Sequence, residues 1–60
     1  MKLTIERFAE SINEYCKKRD YFWACGLIKE TVQLWTSRES RNLLCNEARM
    51  MAEHYVAELI

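Results

Sequence analysis

Four side chains in this sequence could bind a metal or attack an electrophile: Cys16, Cys25, Cys45 and His54. Three thiols and an imidazole are in principle a Cys3His zinc set. Structural zinc sites bring their ligands in close pairs, C-x2-C or H-x3–5-H. No two of these four residues are near neighbours along the chain, so no metal site and no cofactor is expected. A nucleophilic thiolate needs an electropositive, partly exposed setting. All three cysteines instead fall on the main apolar stripes described below, where a reduced cysteine packs as a small hydrophobe. His54 can pair with Glu47 or Glu58, but one imidazole near acids on a helix is commonplace. A short helical chain also leaves little room for a concave pocket. Catalysis is not expected.

The elements that must position these residues are helices. The 60 residues include no proline and one glycine, with 50% hydrophobic and 30% charged side chains. That composition is globular, and the length allows one domain, residues 1–60. A fold this small buries only about 60% of the surface its unfolded chain exposes, so its core is marginal. Disulfides, a metal or oligomerisation usually compensate. The cysteine number is odd and the spacing matches no small disulfide scaffold, which leaves oligomerisation or a partner. No secretory signal pattern is visible and no apolar run approaches the ~20 residues of a membrane span. The expectation is a cytoplasmic protein with reduced thiols. Formal net charge is zero, which favours self-association and lowers the expectation of phosphate-backbone binding.

Helical periodicity predicts a small all-α three-helix bundle with helices at about 4–18, 21–35 and 37–59. The first helix carries one stripe of about 120°, formed by Ile5, Phe8, Ala9, Ile12, Tyr15 and Cys16. Thr4 suits its N-cap, with Leu3 and Phe8 as a hydrophobic staple. Asp20 is the joint and N-cap before the second helix. Thr36-x-x-Glu39 reads as a capping box before the third, with Ser40 as an alternative cap.

The second helix is overloaded. Its main stripe is Tyr21, Ala24, Cys25, Ile28, Val32 and Trp35, and Trp23, Leu27 and Leu34 form another on the far side. Together they occupy roughly 200° of arc, about twice what a surface helix needs. Phe22 lies on the remaining polar side with Gly26, whose place in mid-helix suggests a kink, a late helix start or the close approach of another backbone. The third helix adds a thin line of Leu43, Met50 and Ala57 at seven-residue intervals, with His54 beside it.

These surplus positions (Phe22, Trp23, Leu27, Leu34, Leu43, Met50 and His54) are the expected partner-binding residues, because contiguous exposed apolar patches usually have a use. A chain of this size beginning at Met1 suits a regulator, inhibitor or adaptor that binds another protein or a second copy of itself as a homodimer. The alternative is a helix-turn-helix-like nucleic-acid binder. In that reading Arg38, Arg41 and Asn42 open a recognition helix and Lys17, Lys18 and Arg19 add phosphate contacts. Glu39 and Glu47 in the same region, and the lack of a glycine at the turn, argue against it. The acidic polar face of the first helix is wrong for anionic lipid, so no membrane partner is expected.

Overall fold

A computed structural model describes residues 4–59. The chain forms α1 (Thr4–Lys17), α2 (Tyr21–Glu30), a 3-10 turn (Val32–Trp35), α3 (Arg38–Arg41) and α4 (Asn46–Ala57). All regular elements among the described residues are helical.

α1 follows its sequence pattern closely. Ala9, Ile12 and Cys16 are buried, and Ile5, Phe8 and Tyr15 pack against the same core. The helix already includes Thr4, and the staple residue Leu3 lies outside the described residues. α1 ends in a Schellman motif, in which Asp20 N–H donates to Tyr15 O at 2.8 Å and Arg19 N–H to Cys16 O at 3.0 Å. The motif holds Arg19 at a φ of 62°, the left-handed conformation that usually falls to glycine. Asp20 does precede α2 as expected, but its side chain makes no cap hydrogen bond.

The predicted 21–35 helix does not run through. It stops being α-helical after Glu30 and tightens into a 3-10 turn. The cause is Trp35, which is fully buried. A buried indole N–H needs an acceptor, and Trp35 Nε1 finds Thr31 Oγ1 at 2.9 Å. The same hydroxyl donates to Leu27 O at 2.7 Å. Thr31 therefore closes α2 with its side chain and fixes the indole that fills the core.

The predicted 37–59 helix is also broken. Ser37, not Thr36, is the cap: its Oγ accepts from Glu39 N–H at 3.1 Å, while Thr36 Oγ1 donates back to Gln33 O at 3.2 Å. α3 lasts one turn. Asn42 keeps helical dihedrals as its C-cap, Leu43 N–H and Leu44 N–H donate to Ser40 O and Arg41 O at 3.1 Å in turns, and Cys45 stands extended at the N-cap position of α4. Asn13 on α1 holds this crossing. Its Nδ2 donates to Leu43 O at 3.0 Å and its Oδ1 accepts from Cys45 N–H at 2.8 Å. The architecture is thus all-α but not a clean three-helix bundle. Its core is Trp35, Ile12 and Ile28, closed by Leu44 and the small faces of Ala24, Ala48 and Ala52. Three alanines, two of them on α4, let the helices approach closely around one large indole.

Candidate functional site

α2 turns Ala24 and Ile28 inward and presents its opposite side to solvent. Phe22 is 79% exposed and Trp23 is 58% exposed. Their rings pack edge to face, 5.6 Å between centroids at 86°, a favourable aromatic geometry. Tyr21, assigned to the buried stripe by periodicity, is also exposed, at 41%. One turn on lies Gly26. A Cβ built there meets no described atom within 4 Å, and α2 continues through it without a break. Among the described residues, no kink, late start or neighbouring backbone accounts for this glycine.

The bare floor at Gly26 is shared by two shallow grooves. The larger, about 630 Å³, runs between Phe22 and Met51 over Cys25 and Gly26. The smaller, about 240 Å³, runs between Tyr15 and Trp23 and ends at Glu30. Trp23 is the ridge between them. Two residues that line the larger groove, Tyr21 and Cys25, are tied to α4. Tyr21 donates its hydroxyl to Glu47 Oε2, a bond that raises the tyrosine pKa. The Cys25 thiol is hydrogen-bonded to the Tyr55 hydroxyl, which raises the pKa of Tyr55. Lys29 Nζ lies 5.4 Å from the centre of the Tyr55 ring, a cation–π distance.

No family model, curated protein or solved structure matches this chain. The reading of the surface therefore rests on its own chemistry.

The seven expected partner-binding residues do not form one line. Phe22, Trp23 and Leu27 gather on α2. Leu34 and Leu43 line a separate groove of about 380 Å³ with Ile5, edged by Glu6 and Glu39, and Leu27 and Leu34 also pack partly into the core. Met50, 69% exposed, and His54 lie one turn apart on the outer side of α4. The expected seven-residue seam fails because Leu43 lies within the break at 42–45 and is not on α4 at all.

The thiols and the imidazole are also placed. Cys16 is buried, and its pKa is pushed up to about 12, first by desolvation and then by a hydrogen bond with Cys45. Such a thiol stays protonated and unreactive at neutral pH. The pairing of Cys16 with Cys45 was invisible in their spacing, since Asn13 creates it by pinning residue 45 to α1. His54 Nε2 is exposed, 3.1 Å from Glu58 Oε1. Among the described residues, no cluster of three or more His, Cys, Asp or Glu side chains can hold a metal ion. None of their helices is long and apolar enough to cross a membrane.

The basic residues of the nucleic-acid alternative are dispersed in role. Arg41 Nη1 donates to Trp35 O at 2.7 Å and to Thr36 O at 3.1 Å. It clamps carbonyls at the end of the 3-10 turn, as cations do at helix C-termini, which commits its Nη1 within the fold. Arg38 is exposed on α3, Asn42 sits just past it, and Lys17, Lys18 and Arg19 are exposed at the far end of α1. The continuous recognition helix expected from residue 37 does not form, because α3 is one turn long.

Proposed function

We propose that this chain is a small non-catalytic protein-binding module, of the regulator, inhibitor or adaptor kind, that docks through the outer face of α2. The observation that carries the reading is the pair Phe22–Trp23, two adjacent large aromatics left in water on a helix whose other side is fully used. Tyrosine, tryptophan and phenylalanine are enriched in interface cores, and tryptophan and tyrosine often dominate binding energy. Taking ~200 Å² for each aromatic side chain, the exposed parts of Tyr21, Phe22 and Trp23 amount to about 350 Å². Covering that area is worth up to ~9 kcal/mol of transfer free energy before the costs of association. The reduced thiols of Cys16, Cys25 and Cys45 suit the cytoplasm. The nucleic-acid alternative is the weaker reading because Arg41 already has carbonyl partners.

The test is the double variant Phe22→Ala, Trp23→Ala. Helix content by far-ultraviolet circular dichroism and the melting temperature stay near wild type, while association measured by sedimentation or by partner capture is lost. A collapse of helicity would make these residues core. Undiminished association would remove α2 from the interface.

A further inference from the structure

We propose that Cys16 and Cys45 form a reversible disulfide, which ties the start of α4 to α1 when the surrounding thiol pool turns oxidising. Two of the three thiols are set against each other and the third is engaged elsewhere. Cys25 is hydrogen-bonded to the Tyr55 hydroxyl. Cys16 follows Asn13 by three residues, so the two share one side of α1. Asn13 draws residue 45 to that side: its Oδ1 accepts from Cys45 N–H at 2.8 Å, and its Nδ2 donates to Leu43 O at 3.0 Å. Cys45 packs against the core in which Cys16 is buried, and the two side chains share a hydrogen bond. Cysteines that are too distant or that point apart cannot be bridged without backbone movement. This pair is neither.

The oxidant is a small disulfide of the glutathione class. Cys45 is half-exposed and Cys16 is buried, so access makes Cys45 the attacking thiol. Its thiolate bonds to one sulfur of oxidised glutathione, the glutathione S–S bond breaks, and one glutathione leaves and takes up a proton. Cys16 then gives its proton to solvent and attacks the Cys45 sulfur. The second glutathione leaves and is protonated in turn. Two protein thiols are oxidised by two electrons, and one glutathione disulfide is reduced to two thiols. Burial pushes the Cys16 pKa up to about 12, so at pH 8 about one molecule in 10⁴ holds it as thiolate. Well-placed intramolecular partners reach effective molarities of ~10⁵ M and above, which outweighs that loss. Cys16 is thus inert towards electrophiles in solution and competent towards a sulfur already held beside it.

The bridge closes residues 16–45, half of the chain. Closing such a loop removes freedom from the unfolded chain, and a fold this small has most to gain from a staple. In a reducing compartment the two thiols stay apart, so the bridge marks oxidising conditions. Neither cysteine lines the two grooves beside Gly26, so bridge formation is independent of what docks on α2.

The test equilibrates the full reduced chain with oxidised and reduced glutathione at pH 8, in buffer and in concentrated urea. Acid quench, alkylation and mass spectrometry with peptide mapping then read the products. In buffer the product is a monomer two hydrogens lighter, with Cys16 joined to Cys45 and Cys25 alone alkylated. Its equilibrium constant against glutathione is at least about thirtyfold larger in buffer than in urea. Its melting temperature exceeds that of the reduced chain by at least ~8 °C and returns with dithiothreitol. Cys25→Ser keeps these effects. Cys45→Ser abolishes them and still folds, since serine suits an N-cap. Asn13→Ala narrows the ratio between buffer and urea, and an unchanged ratio would remove Asn13 as the positioning residue. A chain that stops at mixed glutathione adducts, or bridges through Cys25, overturns the proposal. So does a Cys16–Cys45 bond favoured no more in buffer than in urea.

Discussion

Replacing Asn13 with alanine removes the contact that fixes the crossing between α3 and α4. Two hydrogen bonds go: Asn13 Nδ2 to Leu43 O at 3.0 Å, near solvent, and Cys45 N–H to Asn13 Oδ1 at 2.8 Å, half-buried. A neutral hydrogen bond contributes about 1 kcal/mol net, less where water replaces the partner and more where a donor is left unsatisfied. The exposed bond falls at the low end. The Cys45 bond falls at the high end, because that N–H belongs to a helix cap whose side chain makes no cap bond of its own. The sum is about 2 kcal/mol. A 60-residue domain has only roughly 3–9 kcal/mol of total stability, and 1 kcal/mol moves the melting temperature of a domain near this size by about 4–8 °C. Asn13→Ala therefore lowers the melting temperature by ~8–16 °C, followed by circular dichroism at 222 nm, with the urea slope unchanged. The neighbouring Glu14→Ala, at an exposed position, stays within about 0.5 kcal/mol of wild type. An Asn13→Ala shift below about 3 °C would mean that burial of Leu44, not Asn13, sets the crossing.

Two further perturbations address residues whose roles the fold reassigns. Arg41→Ala lowers stability by about 1.5–3 kcal/mol, the range for hydrogen bonds to a charged group, whereas Arg38→Ala is near neutral; urea midpoints of the two variants that coincide would refute the clamp. The Cys16 thiol is pushed up to about 12, from 9.0 for the ordinary thiol, so above pH 9 the unfolded chain releases a proton that the folded chain keeps. Stability is unaffected by this group below pH 9 and falls as pH rises towards 12. Tyr21 and Tyr55 are raised too and act in the same direction. The urea midpoint drops between pH 8 and pH 10.5, and Cys16→Ala flattens part of that drop.

What the sequence displays well is α1, whose single stripe needs no information from elsewhere in the chain. The ends of the other helices depend on contacts that periodicity does not carry. Thr31 looks like one more helical residue until Trp35 requires an acceptor for its indole N–H. Asn13 looks like a solvated residue on a polar face until residues 43 and 45 arrive across the core. Arg41 looks like a surface cation until the 3-10 turn aims two carbonyls at it. Each is a polar side chain that satisfies a backbone group or a ring nitrogen made needy by burial, and such needs exist only once the fold has formed. The exposed positions of Phe22 and Trp23 were better signalled, since no arrangement of 100° steps hides them together with Ala24 and Ile28.

The two tryptophans show why an apolar surplus in a small domain divides as it does. Trp35 is shielded completely because the chain breaks its helix to bring the ring inward, and alanines at 24, 48 and 52 make room for it. A core of this length has space for one indole. Trp23 lies about 100° around α2 from Ala24 and about 140° from Ile28, outside the arc that those two residues bury. The chain shields Trp35 completely and leaves Trp23 58% exposed. The bare backbone at Gly26, one turn beyond Trp23, lies on the side that this chain leaves open.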